Sequence, residues 1–187
     1  DEMPLRKRST AEGHCVRALY LLCGAADIAD RYNDSELKDA CKRVFDDIAN
    51  NKVYITGGVG SSHLGEAFTV PYHLPNRTAY TETCAAISLA MFCNRMLQID
   101  TDSKYADMAE RAIYNGFLSG VSMDGKSFFY ENPLEIDPRF NHVNPSVINK
   151  ERFPITQRLE VFDCSCCPPN IVRFIPSIAD FLYTYND

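Results

Sequence analysis

The run Asp163-Cys164-Ser165-Cys166-Cys167-Pro168-Pro169-Asn170 sets three thiols within four positions and follows them with two prolines. Two adjacent cysteines cannot both enter one apolar core from a regular strand or helix, because neighbouring side chains point apart there. From a bent loop both can face one point. The prolines fix φ and remove two N–H donors, which stiffens the loop and suits the first turn of a helix. Ile171, Phe174, Ile175, Ile178 and Leu182 then recur at helical spacing. The stretch reads as a thiolate platform at a helix start, where the positive end of the helix dipole favours the thiolate. A thiolate is both a nucleophile and a metal ligand. What completes the site must come from elsewhere in the chain.

The chain has 187 residues, enough for one domain with a substantial core. Its net charge of −6 is spread without blocks, which argues against nucleic acid or an anionic membrane surface as partner. No apolar run approaches the roughly 20 residues of a membrane span. Eight cysteines would suit a disulfide framework in a small secreted domain, but this chain is large and reads as helical. With no secretory leader read in its first residues, a reducing, cytoplasmic setting is expected. Cys15, Cys23, Cys41 and Cys93 sit among apolar helical positions and read as buried thiols. Cys84, Cys164, Cys166 and Cys167 have polar or constrained surroundings and are the candidates for chemistry.

Helical periodicity organises the rest. Residues 10–32 and 36–49 read as two helices joined by a short turn at Asn33-Asp34-Ser35. In the second, Leu37, Ala40, Cys41, Val44, Phe45 and Ile48 keep the period closely. Residues 79–99 and 104–117 form a second pair about Asp100-Thr101-Asp102. Between the pairs, Val53-Tyr54-Ile55 reads as a short strand running into Gly57-Gly58-Val59-Gly60-Ser61-Ser62. That glycine run lacks the Lys-Ser/Thr of a phosphate loop and the last glycine of a dinucleotide fingerprint, so it reads as a loop at a pocket mouth. Phe128-Phe129-Tyr130 is a short extended run, and residues 131–160, with Arg152, Arg158 and Glu160, are irregular. Helical hairpins separated by long, chemically rich loops predict an all-α-dominated fold with minor β, of the α/α toroid kind. A complete toroid needs more hairpins. Residues 1–187 are therefore expected to be one domain, a portion of a larger barrel.

Glu82-x-Cys84 offers a carboxylate and a thiol two positions apart. In a regular helix they would project about 200° apart; on an extended or first-turn backbone they point the same way. This predicts that Glu82 and Cys84 precede the regular helix. Joined to Cys166 and Cys167 they make a set of three thiols and one carboxylate that suits tetrahedral zinc. The plainer alternative is a helix-capping Glu82 and a core Cys84. Glu66, among small and aromatic neighbours in Gly65-Glu66-Ala67-Phe68, is either a general acid with a raised pKa or a solvated loop glutamate. His14 reads as a lone helical histidine, Tyr130 as core or pocket wall, and His63 and His73 as loop histidines able to meet metal or sugar.

Taken in order, Gly13-His14-x-Val16-Arg17-Ala18, Tyr54-Ile55-Thr56-Gly57-Gly58-Val59-Gly60, Gly65-Glu66-Ala67-Phe68, Tyr80-x-Glu82-x-Cys84-Ala85, Phe129-Tyr130-x-Asn132-Pro133-Leu134 and Cys166-Cys167-Pro168-Pro169-Asn170 resemble glycoside hydrolase family 127, the β-L-arabinofuranosidases. The resemblance implies part of an (α/α)6 barrel, without the β domains that follow it in the family. It implies a retaining glycosidase acting on a carbohydrate substrate. Glu66 would be the general acid/base and Cys166 the nucleophile. Glu82, Cys84, Cys166 and Cys167 would hold Zn2+, and His14 and Tyr130 would contact the sugar. No role carries over to Cys164. If the toroid is incomplete, exposed helix faces would favour a homo-oligomer. Two competing readings are a non-catalytic structural zinc or interaction module and a redox thiol protein, the latter without a Cys-x-x-Cys motif.

Overall fold

In the computed structural model, residues 3–137, 139, 156–162 and 164–183 are described. Arg152 and Asp163 lie outside them. Five α-helices carry the fold: α1 (Cys15–Arg31), α2 (Ser35–Asp47), α3 (Thr83–Ile99), α4 (Ser103–Arg111) and α5 (Cys167–Phe174). Extended structure among the described residues is limited to isolated bridges such as Val53 with Val59 and Glu82 with Glu131. No helix among them is long and apolar enough to cross a membrane.

The α1–α2 and α3–α4 hairpins form as their capping residues dictate. Asp34 accepts from the Leu37 N–H at the start of α2, and Asp102 from the Lys104 N–H at the start of α4. All six periodic apolar positions of α2 are buried. At about 1.5–3 kcal/mol for each large side chain, that face outweighs the helix's own marginal propensity. Phe45 packs edge-on to Tyr105 of α4, ring centroids 4.6 Å apart, and lies 6.3 Å from Phe92 of α3. Helix α3 is buried nearly all round, from Thr83 to Met96, and packs on α1, α4 and α5. It is the axis on which the other helices rest. The four thiols read as structural, Cys15, Cys23, Cys41 and Cys93, are all buried.

Several boundaries differ from those the sequence predicts, each for a local reason. Helix α1 starts at Cys15, not Thr10, because Gly13 has φ +76° and the Ala11 N–H turns away to the Asp47 carboxylate at 2.8 Å. Helix α2 runs on as a π-helical turn, Ile48–Lys52. Residues 53–55 are not a strand: the Gly57 N–H bonds the Tyr54 carbonyl at 2.8 Å in a tight turn, and Ile55 is exposed. Helix α3 starts at Thr83 rather than Ala79. The last helix is regular only to Phe174 and tightens to 3-10 over Ile175–Phe181, since Pro176 has no N–H to continue the ladder. Ile175 and Leu182 are consequently exposed.

The glycine run packs closely against its neighbours, and Gly60 and Ser61 also line a small cavity with Phe68 and His73. A Cβ on Gly57 would lie 2.8 Å from the Ala112 nitrogen, inside the second π-helical turn, Ala112–Phe117. A Cβ on Gly60, at φ +92°, would lie 2.8 Å from Cys15 Sγ. Both positions need glycine for space and for φ.

Asp47 and Lys52, both buried, face each other at 2.8 Å across the π turn. The Lys52 ammonium also donates to the Ala11 carbonyl at 2.7 Å, and Asn51 donates to the Asp47 carboxylate at 2.9 Å. Burial raises the Asp47 pKa, but the bonds from Lys52, Asn51 and the Ala11 N–H outweigh it, and the net value is below the ordinary one. A carboxyl depressed in the folded state stabilises above its unfolded pKa, near 3.9, and loses that contribution as pH falls through the folded value. Asp47→Ala strands a buried ammonium, and the expected loss is about 3–5 kcal/mol in denaturant unfolding at pH 7. The gap between parent and variant should close as unfolding is repeated below pH 4; a gap independent of pH would contradict the assignment.

Candidate active site

The starts of α3 and α5 meet. Glu82 is the residue before α3, extended at ψ 138°, and Cys84 is the second residue inside the helix. Cys84 does not precede the regular helix as the spacing argument required. The extended backbone at Glu82 helps bring the carboxylate to the side of the Cys84 sulfur. Cys166 is the residue before α5 and Cys167 its first. Pro168 and Pro169 occupy the first turn, where missing N–H groups break no intrahelical bond.

The sulfurs stand 3.9 Å apart for Cys84 and Cys166, 3.6 Å for Cys84 and Cys167, and 3.8 Å for Cys166 and Cys167. Glu82 Oε1 is 3.4 Å from Cys166 Sγ. All four donor atoms lie within 4.8 Å of one another. A tetrahedral ion with Zn–S bonds of about 2.3 Å sets its sulfurs about 3.8 Å apart, whereas a disulfide needs about 2.05 Å. The cluster is spaced for a metal ion, which it can hold. Its charges point the same way. Burial, the neighbouring Cys166 and Glu66 push the Glu82 carboxyl up to about 9. Hydrogen bonding with the Cys166 and Cys167 sulfurs brings Cys84 down to about 5. Cys167, hydrogen-bonded with both neighbouring sulfurs and buried, is pushed up. Glu82 Oε2 is buried without a hydrogen-bond partner among the described residues. Packed this closely, the four groups cannot all ionise unless a cation offsets them.

A second carboxylate faces the cluster. Glu66 follows Gly65 in a sharp turn in which both have positive φ, +70° and +52°. A left-handed non-glycine residue is strained and needs surrounding structure to hold it. Here the turn is tied to the chain entering α1: the Phe68 N–H bonds the Gly13 carbonyl at 2.9 Å, and Ala67 bridges His14. His14 is therefore not mid-helix. It precedes α1, and its Nε2 lies 2.6 Å from Glu66 Oε2. Tyr80 Oη donates to Glu66 Oε1 at 2.8 Å, and Tyr130 Oη donates to the same oxygen at 3.3 Å. The Cys166 thiol donates to Tyr130 Oη at 3.4 Å. A single hydroxyl thus separates Glu66 from Cys166. Burial first, then the Glu66 carboxylate at Tyr80 and the Glu82 carboxylate at Tyr130, push both phenols up, so both are neutral donors at physiological pH.

Glu66, His14, Tyr130, Glu82, Cys84, Cys166 and Cys167 all converge on this space. Sequence reasoning assigns Tyr80 no role of its own: it reaches Glu66, 14 residues away, from a segment turned at the left-handed Thr81. His73 turns elsewhere, to Thr69 Oγ1 at 2.9 Å, and neither it nor His63 joins the four-donor cluster. Cys164 is exposed and outside that cluster. Arg158 donates to the carbonyls of Ser119 and Gly120 and stacks on Phe129.

A family profile for the β-L-arabinofuranosidase catalytic domain of glycoside hydrolase family 127 matches residues 1–180. The non-reducing end β-L-arabinofuranosidase of Bifidobacterium longum subsp. longum is 40% identical over 185 residues, 98% of this chain and 27% of that protein. The crystal structure of a family 127 β-L-arabinofuranosidase from Geobacillus stearothermophilus T6 superposes with a TM-score of 0.88 at 45% identity, covering 98% of this chain and 28% of that one. A second family 127 β-arabinofuranosidase structure gives 0.84 at 42% identity, covering 96% and 26%. The chain thus spans little more than a quarter of the length of these relatives. The helix-dominated fold expected from sequence, a portion of an (α/α)6 barrel, is borne out by the superposition. With the match running over almost its whole length, the chain belongs to glycoside hydrolase family 127.

Proposed function

We propose that this chain carries the catalytic centre of a retaining glycosidase acting on β-L-arabinofuranosides or related sugars, within a larger α/α-barrel catalytic domain. The observation that carries the reading is the line Glu66–Tyr130–Cys166, in which one hydroxyl reaches both a carboxylate and a thiol. Retaining glycosidases need an acid/base and a nucleophile close together on the two sides of one glycosidic bond. The names of the relatives supply the substrate class.

The four-donor cluster fits zinc in donor type and spacing. Glu82, Cys84, Cys166 and Cys167 would hold Zn2+, whose positive charge would keep the sulfurs deprotonated near neutral pH. Cys166 attacks the anomeric carbon while Glu66 gives its proton to the leaving oxygen; a C–S bond forms as the C–O bond breaks. Glu66 then takes a proton from water, which attacks the same carbon and releases the sulfur. Two displacements retain configuration. His14 and Tyr80 hold the two oxygens of Glu66, so its carboxyl keeps one orientation through both steps. Tyr130 and His14 border the space between acid/base and sulfur, where the sugar ring has to lie.

Hydrolysis of p-nitrophenyl β-L-arabinofuranoside by the zinc-loaded chain tests the reading. Glu66→Gln should lower turnover by about 10²–10⁴-fold. Cys166→Ser should abolish it in a protein that still unfolds cooperatively, and the first product seen by NMR should be the β anomer. Unchanged turnover in Glu66→Gln, or an inverted product, would sink it. Zinc uptake offers a further check. With Glu82 at about 9 and Cys167 raised, both are protonated at pH 7 without metal, so uptake must release protons. The calorimetric enthalpy of zinc binding should vary with the ionisation enthalpy of the buffer in the direction of proton release. An enthalpy independent of buffer would contradict the ligand set.

A further inference from the structure

Thr81, immediately before Glu82, is buried and has φ +37°. For a β-branched residue this is a strained conformation that must be held from outside. The holder is Asn132. Its side-chain Nδ2 donates to the Thr81 carbonyl at 2.9 Å and to Thr83 Oγ1 at 3.0 Å. Its backbone N–H donates to the Tyr80 carbonyl at 3.1 Å, and the Thr81 hydroxyl donates back to the Asn132 carbonyl. Thr83 completes the bracket: its N–H bonds the Tyr130 carbonyl at 3.0 Å and its hydroxyl donates to the Phe129 carbonyl at 2.6 Å. From the other side the Thr81 N–H bonds the Gly60 carbonyl at 2.8 Å. The slot for the amide is made by Gly120, where a Cβ would lie 3.0 Å from Asn132 Oδ1. Asn132 touches neither the sulfurs nor Glu66 among its hydrogen bonds, and the mechanism above gives it no part.

We infer that Asn132 is a positioning residue: it locks the left-handed turn at Thr81, and that turn aims Glu82 at the three sulfurs. The inference rests on the metal reading of the cluster. The dihedrals of residue 81 set the direction in which residue 82 leaves the chain. The same bracket sets the register between residues 80–83 and 130–132, so Tyr80 and Tyr130 reach Glu66 from fixed positions. A valine or serine here would fill part of the space but could not bond the Thr81 carbonyl and the Thr83 hydroxyl together. Only a short side-chain amide offers two donors from one nitrogen at this reach.

The test is metal affinity of the 187-residue chain, measured with Zn2+ against a competing chelator and with Co2+ by its sulfur-to-metal absorption. Asn132→Ala should weaken binding by about 10–100-fold, the usual cost of losing a group that orients a ligand. Asn132→Asp keeps the shape, removes both donors and should weaken binding to a similar degree, which covers the case where the alanine variant does not fold. Glycine adopts positive φ without strain, so Thr81→Gly placed in the Asn132→Ala background should recover most of the lost affinity. Mere packing by Asn132 would lower the melting temperature and leave affinity unmoved in both variants, and that result overturns the inference. Lost affinity without recovery by Thr81→Gly overturns the route through the backbone turn. Failure of the parent chain to bind either ion overturns the metal reading and this inference with it, and is told apart by the parent's behaviour.

Discussion

Four groups that repel one another when ionised are forced into a sphere a few ångströms wide, and much of the structure answers that constraint. The N-terminal ends of α3 and α5 converge on it, so the positive ends of two helix dipoles face the sulfurs. Helix α3 is buried nearly all round, which fixes one end of the cluster in the most rigid element of the fold. The other end is a stiff Cys-Cys-Pro-Pro turn whose helix packs on α3, while its Phe174 meets Phe117 of the second π-helical turn, ring centroids 5.3 Å apart. A cluster of like charges cannot hold its own shape. It is held from behind by packing that does not depend on its ionisation.

The same division runs through the second carboxylate. Glu66 sits on a short exposed turn with two left-handed residues, a poor foundation for a group whose orientation matters. Its position is imposed from three directions: the chain before α1, the chain before α3 and the extended run at Tyr130. The buried Asp47–Lys52 pair fastens Ala11 three residues before His14. The route from a buried ion pair through a π-helical turn to a histidine at the site is short, and it explains why the chain from Thr10 to His14 is not helical.

Periodicity disclosed the hairpins and the buried face of α2, because each position there is decided by neighbours three and four residues away. The four-donor cluster was legible for a related reason. Adjacent thiols followed by two prolines, and a carboxylate two residues from a thiol, are unusual enough locally to announce themselves. What escaped was whatever depends on contacts across the chain. His14 reads as helical until Gly13 and the pull of Asp47 on Ala11 are known. The close packing of the glycine run is hidden until Gly60 is found against Cys15. Tyr80 and Asn132 act through partners 14 and 51 residues away, and no local spacing encodes those distances. The early end of α5 was readable: Pro176 stands in plain sight within an otherwise helical pattern.

One feature of α5 bears on reactivity. A residue at the N-cap ordinarily finds hydrogen-bond donors in the N–H groups two and three residues on. For Cys166 those residues are Pro168 and Pro169, and no capping bond forms. The helix therefore lends the Cys166 sulfur its dipole without lending it an amide. Amide bonds to sulfur draw off electron density and calm it; withheld here, they leave the lone pairs undamped. The double proline, which stiffens the bend that lets two neighbouring thiols face one point, also leaves one of them without the amide bonds that a helix start usually offers.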